Sequence, residues 1–273
     1  MIFARERAEV IADKLKKLMV VRKFELDSWQ VKEGFFLRPE EADRAAESWE
    51  PFDSRLMHWY GPDRHYWFRT VFTVPEEYGG KGLWLRIRTQ IEEWDDAKNP
   101  QFLVFINGEA VQGADMNHRE VLLDRAATAG DTVTVDLQAY SGTLHPEFRL
   151  IADIEEISEP VKDLYYDIQV PLWAMDRMDQ EGKTAIDILT VLNDTISLLD
   201  LRDVYSDEFY RSVEEARAYI GKALYEDLAG DDTVVATCIG HSHIDVAWWW
   251  TVAQSREKAA RSFATVLKLM DEY

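Results

Sequence analysis

Apolar side chains recur at Val10, Ile11, Leu15, Leu18 and Met19, with Lys14, Lys16 and Lys17 between them. A spacing of three to four residues gathers an apolar set on one side of a helix. The chain is therefore expected to open with an amphipathic helix over about residues 4 to 20. A basic amphipathic helix can lie on a membrane surface. Here the acids Glu6, Glu9 and Asp13 are interleaved, which favours packing on the next domain.

After Leu26 the period shortens to two. Trp67 to Val74 is aromatic and β-branched and is closed by Pro75. Leu83, Leu85 and Ile87 alternate with Trp84, Arg86 and Arg88. Gln101 to Ile106 runs into Asn107-Gly108 and then Glu109 to Val111, a hairpin signal because both turn positions need positive φ. Asp131 to Leu137 alternates through Val133, Val135 and Leu137, and Glu147 to Ile157 reads as a further strand. Strands without intervening helices predict an antiparallel β-sandwich over residues 26–158, behind an N-terminal helix in residues 1–25.

Beyond Pro160 the helical period returns. Ile186, Leu189, Asn193, Ile196 and Leu199 form one face. Phe209, Val213, Ala216, Ile220, Leu224 and Leu228 form another, stopped by Gly230. Residues 159–230 read as a helical connector built on two long helices separated by Asp200 to Ser206. Thr233 to Ile239 is then a continuous apolar run, as in a parallel strand buried on both faces. Gly240 ends it, a polar loop follows, and Ala259, Ala260, Phe263, Val266, Leu267 and Met270 mark a helix to Tyr273. Strand, loop and helix make residues 231–273 the first unit of an α/β sheet or barrel, folds that bind ligands at the carboxyl ends of their strands.

Composition narrows the partners. The 273 residues are 47% hydrophobic, room for about two domains with packed cores. With 31 Lys and Arg against 51 Asp and Glu, the net charge is −20, which disfavours nucleic acid because phosphate backbones repel an acidic surface. The single Cys238 excludes an intramolecular disulfide framework and a cysteine-built zinc site, and its place in the buried run makes it a packing residue. No run of about 18 apolar residues is present to span a membrane. Charges stud residues 1–21, so neither a secretory signal nor an acid-poor transit peptide is expected, and the location is read as cytoplasmic.

The chemistry concentrates in the polar loop. In an extended segment His241, His243 and Asp245 share one side of the chain. Imidazole nitrogen and carboxylate oxygen suit a divalent ion such as zinc, although three or four ligands are the rule. The same residues could instead cap the following helix through Asp245. Trp248, Trp249 and Trp250 follow directly, and indoles beside polar ligands stack on the C–H faces of sugar rings; core filling accounts for two of the three. Of the other candidates, Glu92 to Asp96 and Asp153 to Glu159 read as solvated loop acids. Trp49, Trp59, Trp67, Trp84 and Trp94 read as core and packing residues in preference to a sugar platform. His58, His65, His118 and His145 lack paired spacing and read as structural or surface residues.

Gly240-His-Ser-His-Ile-Asp-Val-Ala-Trp248, followed by Arg256-x-x-x-Ala-Arg261-Ser-Phe-x-x-Val-Leu-x-Leu-Met270, resembles the start of the catalytic domain of class II α-mannosidases, glycoside hydrolase family 38. Asp63 to Pro75 and Asn99 to Gly108 resemble the N-terminal β-sandwich of cytosolic-type members, so the likeness covers most of the chain. It implies a multidomain α+β protein with a jelly-roll, galactose-binding-like sandwich, a helical connector, and the first strand and helix of a catalytic α/β barrel. It assigns zinc to His243 and Asp245, ring stacking to Trp248, and the orienting of a ligand or substrate hydroxyl to His241. Asp245 is thereby a metal ligand and not the nucleophile. The family is retaining, with one carboxylate attacking the anomeric carbon and a second acid protonating the leaving oxygen. Its nucleophile, its acid/base and its remaining zinc ligands would lie downstream of Tyr273, so the chain alone is expected to be inactive and to hold zinc weakly or not at all.

The leading expectation is the N-terminal part of a zinc-dependent exo-α-mannosidase acting on mannose-containing oligosaccharides, with homo-oligomerisation through the complete enzyme as a possibility. Two alternatives stand beside it. One is a non-catalytic carbohydrate-binding or interaction module working through residues 26–158, and the other is an unrelated metal-binding α/β protein using the His-x-His-x-Asp loop.

Overall fold

The computed structural model describes residues 3–90, 98–144, 147–228, 237, 239 and 243–272. Along the chain the elements are α1 (Ala4–Leu18), β1 (Val20–Glu25), β2 (Ser28–Glu33), α2 (Pro39–Arg44), β3 (Glu50–Asp53), β4 (Trp59–Tyr60), β5 (His65–Thr73) and β6 (Leu83–Arg88). They continue with β7 (Gln101–Ile106), β8 (Glu109–Ala114), β9 (Glu120–Asp124), β10 (Thr132–Tyr140), β11 (Glu147–Phe148) and β12 (Ile151–Ile157). Helices α3 (Glu159–Met175), α4 (Lys183–Ser197), α5 (Asp207–Ile220) and α6 (Val252–Glu272) complete the set, with a π-helical stretch, Gly221–Asp227, after α5. Among the described residues no helix is long and apolar enough to cross a membrane. The chain divides into two compact units, Met1–Arg22 with Ile157–Ile239, and Lys23–Glu156 with Gly240–Tyr273.

The first unit is helical. Ala8, Ala12 and Leu15 of α1 meet Leu164, Ile168 and Leu172 of α3, Ile188 and Leu192 of α4, and Phe209, Val213 and Ile220 of α5 in one buried cluster. Each set follows the three-to-four spacing that puts side chains on one helix face. Ser206 caps α5 by accepting from the Phe209 amide at 3.2 Å. Pro160 hides α3 from a periodicity search, yet proline is well placed in a first turn. Pro171 lies inside α3 and cannot donate to the carbonyl of Asp167. The hydroxyl of Tyr225 supplies that bond at 3.3 Å.

The second unit carries two antiparallel sheets on one core. The six-stranded sheet has the order β3-β2-β5-β10-β7-β8, and the four-stranded sheet β1-β12-β6-β9. Phe68, Phe102, Val104, Val135 and Leu137 of the first share a buried cluster with Leu83, Leu85, Ile87 and Ile154 of the second. Asn107 and Gly108 have φ of 51° and 88° between β7 and β8, the hairpin expected of that pair. The other face of the six-stranded sheet is also covered. Trp67, Leu103 and Phe105 pack there with Ala42 of α2 and Ala264 of α6.

Several expectations are corrected. Helix α2 interrupts the strands, and Glu147–Ile157 is two strands, β11 pairing with β4 and β12 with β6. Of the acids from Asp153 to Glu159, Asp153, Glu155 and Glu156 are buried on β12, and Glu159 alone is exposed. Asp153 pairs with Arg88 and with Lys23, and burial pushes the Glu155 carboxyl above its ordinary value although Arg86 lies 3.7 Å away. Trp59, Trp67 and Trp84 are 2%, 0% and 4% exposed, so they belong to the cores. Most of Thr233–Ile239, with Cys238, Gly240 and His241, and Glu92–Asp96 and His145, lie outside the described residues.

Candidate functional site

His243 and Asp245 sit in the segment leading into α6, both well exposed, with His243 Nε2 3.1 Å from Asp245 Oδ1. Two ligands of one tetrahedral zinc, each about 2.0–2.2 Å from the metal, stand roughly 3.3 Å apart. The observed spacing and the nitrogen–oxygen donor pair therefore fit one edge of a zinc coordination sphere. No group of three or more His, Cys, Asp or Glu able to hold a metal occurs among the described residues.

Ala247 turns the chain between Asp245 and the tryptophans with a left-handed φ of 60°, a region that costs a residue bearing a Cβ about 1 kcal/mol. Its amide donates to Ser255 Oγ at 3.2 Å, tying the turn to the first turn of α6. Trp248 and Trp249 are 62% and 50% exposed, which corrects the expectation that two of the three tryptophans fill a core. Trp250 is partly covered, with the Lys258 ammonium 4.0 Å from its ring centre. Exposed indoles next to paired polar donors are surfaces on which a sugar ring can stack.

A cavity of about 320 Å³ adjoins this segment. His243, Asp245, Trp250 and Lys258 line it, together with Asp115 and His118 from the turn between β8 and β9. Asp115 Oδ1 accepts from the amides of Asn117 and His118, each at 2.8 Å, and lies 3.2 Å from His118 Nδ1. Burial raises the Asp115 carboxyl, but the bonds from His118 and Asn117 outweigh it and hold it below its ordinary value. By sequence spacing alone His118 reads as one of the histidines without paired spacing. The readable signal was Asp115 three residues earlier, the spacing of an Asx turn that fixes the ring.

Helix α6 meets the six-stranded sheet through polar side chains. The register places His65, Tyr140 and Gln101 in one cross-strand row. Against that row, Glu257 Oε1 is 2.9 Å from His65 Nε2, and Gln254 Nε2 is 2.6 Å from the same nitrogen. Arg261 donates to Gln101 Oε1 at 2.9 Å and lies 3.4 Å from Glu257 Oε2. Gln254, Glu257, Arg261 and Thr265 form the buried face of α6, whereas Phe263, Val266, Leu267 and Met270 are exposed. Burial pushes the Tyr140 hydroxyl well up, as does its hydrogen bond to Asp63, and burial lowers Arg261 against the pull of Glu257. The helix thus turns outward the apolar stripe of Phe263, Val266, Leu267 and Met270 that marks it in the sequence.

Residues 233–273 match the family described as Glycosyl hydrolases family 38 N-terminal domain. The chain is similar to Alpha-mannosidase G of Dictyostelium discoideum, 23% identical over 243 residues, 81% of this chain and 21% of that protein. It is also similar to Alpha-mannosidase 2C1 of Homo sapiens, 27% identical over 224 residues, 75% of this chain and 20% of that protein. The chain therefore spans about a fifth of the length of the curated relatives it matches. Among solved structures, a b-glucuronidase from Ruminococcus gnavus overlaps 50% of this chain and 29% of its own at 14% identity and a TM-score of 0.34, too weak a likeness to bear on the fold.

Proposed function

We propose that this chain, an N-terminal fragment of glycosyl hydrolase family 38, forms the amino-terminal part of a zinc-dependent, retaining exo-α-mannosidase. The observation that carries the reading is the His243–Asp245 donor pair at 3.1 Å beside the exposed Trp248, inside the segment matched to the family. His243 and Asp245 would hold the metal. Bound there, zinc supplies Lewis acidity that grips adjacent hydroxyls of the terminal mannose. Trp248 offers the indole face on which the ring rests, and His241 would orient a ligand or a substrate hydroxyl.

The nucleophile, the acid/base and the remaining zinc ligands belong in this reading to further chain, as does closure of the barrel. The exposed apolar stripe of Phe263, Val266, Leu267 and Met270 supports it, because contiguous exposed apolar surface marks a face that another element covers. The jelly-roll, galactose-binding-like character of the two-sheet region, the four-part division of the chain, a mannose-containing oligosaccharide as partner, homo-oligomerisation and a cytoplasmic location complete the proposal. The burial of Trp59, Trp67 and Trp84 leaves these three indoles unavailable as a sugar platform, which favours this reading over a separate carbohydrate-binding module.

The test uses the complete protein that carries this chain. It is expected to turn over an aryl α-mannoside and to lose that activity when zinc is chelated. His243→Ala and Asp245→Ala should each abolish turnover and zinc retention, and full activity in both variants would overturn the assignment.

A further inference from the structure

The edge strand of the six-stranded sheet and helix α6 approach unusually closely at one point. A Cβ added to Gly113 on β8 would stand 2.9 Å from both Cβ and O of Arg261 and 3.0 Å from Thr265 Oγ1. Real Cβ atoms do not tolerate such distances, and the backbone of Gly113 is not left-handed, so glycine is required here by proximity alone. The Gly113 amide donates to Thr265 Oγ1 at 3.1 Å, and the same oxygen lies 3.3 Å from Gly113 O. Thr265 Oγ1 thus accepts from the amide of this edge-strand residue, and its one proton is shared between Gly113 O and, at 2.9 Å, Arg261 O one turn back.

Two residues beyond Gly113, the same strand delivers Asp115 and then His118 to the cavity that His243 and Asp245 line. Upstream on α6, Ser255 holds the turn at Ala247 that follows Asp245. A displacement of α6 along β8 would therefore move the His243–Asp245 pair relative to Asp115 and His118, which line the same cavity. The geometry points to Gly113 and Thr265 as positioning residues: they seat α6 on β8 and thereby fix the His243–Asp245 pair relative to Asp115 and His118. The two-sheet region is then part of the frame of the catalytic centre. This inference rests on the proposed zinc site for its functional consequence and on geometry alone for the seat.

The experiment compares Gly113→Val, Thr265→Val and the conservative Thr265→Ser. In the 273-residue chain, amide hydrogen exchange is followed over β5, β10 and residues 246–272. Both valine variants should raise exchange across residues 246–272 about tenfold or more while β5 and β10 keep their protection, and serine should stay near the parent. In the complete protein, losing a residue that orients metal ligands is expected to weaken zinc about 10- to 100-fold, with Thr265→Ser restoring it. Unchanged exchange over residues 246–272 in both valine variants overturns the seat. Raised exchange with unchanged zinc affinity overturns the positioning role. A parent protein that neither holds zinc nor cleaves an α-mannoside overturns the proposed function, and the exchange result still decides the seat.

Discussion

Glu257 Oε1 lies 2.9 Å from His65 Nε2, joining the first strand of the central β5–β10 ladder to a helix 192 residues further along the chain. Glu257 is also the partner that compensates the buried Arg261. Removing one member of a buried pair leaves an uncompensated charge and costs about 3–5 kcal/mol, whereas replacing both by apolar residues is close to neutral. Glu257→Leu should accordingly lower the urea midpoint sharply, and adding Arg261→Met should recover most of the loss. Equal destabilisation by the single and double variants would count against this pairing.

The turn at Asp115 gives a pH dependence of known sign. Its carboxyl is held below the ordinary value of 3.8 by His118 and Asn117. The ionised form is therefore favoured by folding, and its contribution is full above that value and is lost as pH falls through the lower, folded-state value. Part of the site is solvent-exposed, so the effect is put at about 1 kcal/mol. Asp115→Asn should be less stable than the parent at neutral pH, and the gap should close on acidification below 3.8. A gap that persists unchanged at low pH would rule out the ionised carboxylate as its source.

Tyr225 and Pro171 form a compensating pair through the carbonyl of Asp167. Tyr225→Phe is expected to cost about 0.5 kcal/mol, small because the hydroxyl is exposed. In a Pro171→Ala background the backbone amide takes over the carbonyl, and the same substitution should then be neutral. A double-mutant cycle by chemical denaturation measures the difference, and identical costs in both backgrounds would remove the link.

Trp59 is 2% exposed and meets Phe68 edge-on at 5.5 Å and Phe148 at 5.4 Å. Its indole nitrogen has no hydrogen-bond partner among the described residues. Truncation to alanine should cost about 3–5 kcal/mol through the cavity it leaves. Trp59→Phe should cost markedly less, since it forfeits volume and no hydrogen bond. Comparable unfolding midpoints for the alanine and phenylalanine variants would show that volume is not what Trp59 contributes.

The sequence was legible where periodicity and burial agree. Leu83, Leu85 and Ile87 alternate and do face the core, and Asn107-Gly108 does turn a hairpin. Legibility failed where a residue's local preference conceals its place. Pro160 and Pro171 masked α3, and Tyr225, far along the chain, repairs what Pro171 breaks. On α6 the periodicity located a helix but reversed its faces, because the buried side is made of Gln254, Glu257, Arg261 and Thr265. Polar side chains go inside only when partners await them, and those partners, His65 and Gln101, come from distant strands. At the site, the spacing of His243 and Asp245 anticipates their 3.1 Å contact, whereas His118 lines the same cavity from a turn 125 residues earlier.

The rim of a β-sheet displays unpaired amides and carbonyls that can recruit strands from other molecules. At the β8 rim, helix α6 packs on the strand and Thr265 Oγ1 takes up the amide of Gly113. The helix that follows the His243–Asp245 segment therefore also blunts a surface prone to intermolecular strand addition. A product cleaved ahead of Val252 would keep both sheets and uncover that rim, and its characteristic failure would be loss of solubility through edge-to-edge growth, with most of its internal packing intact.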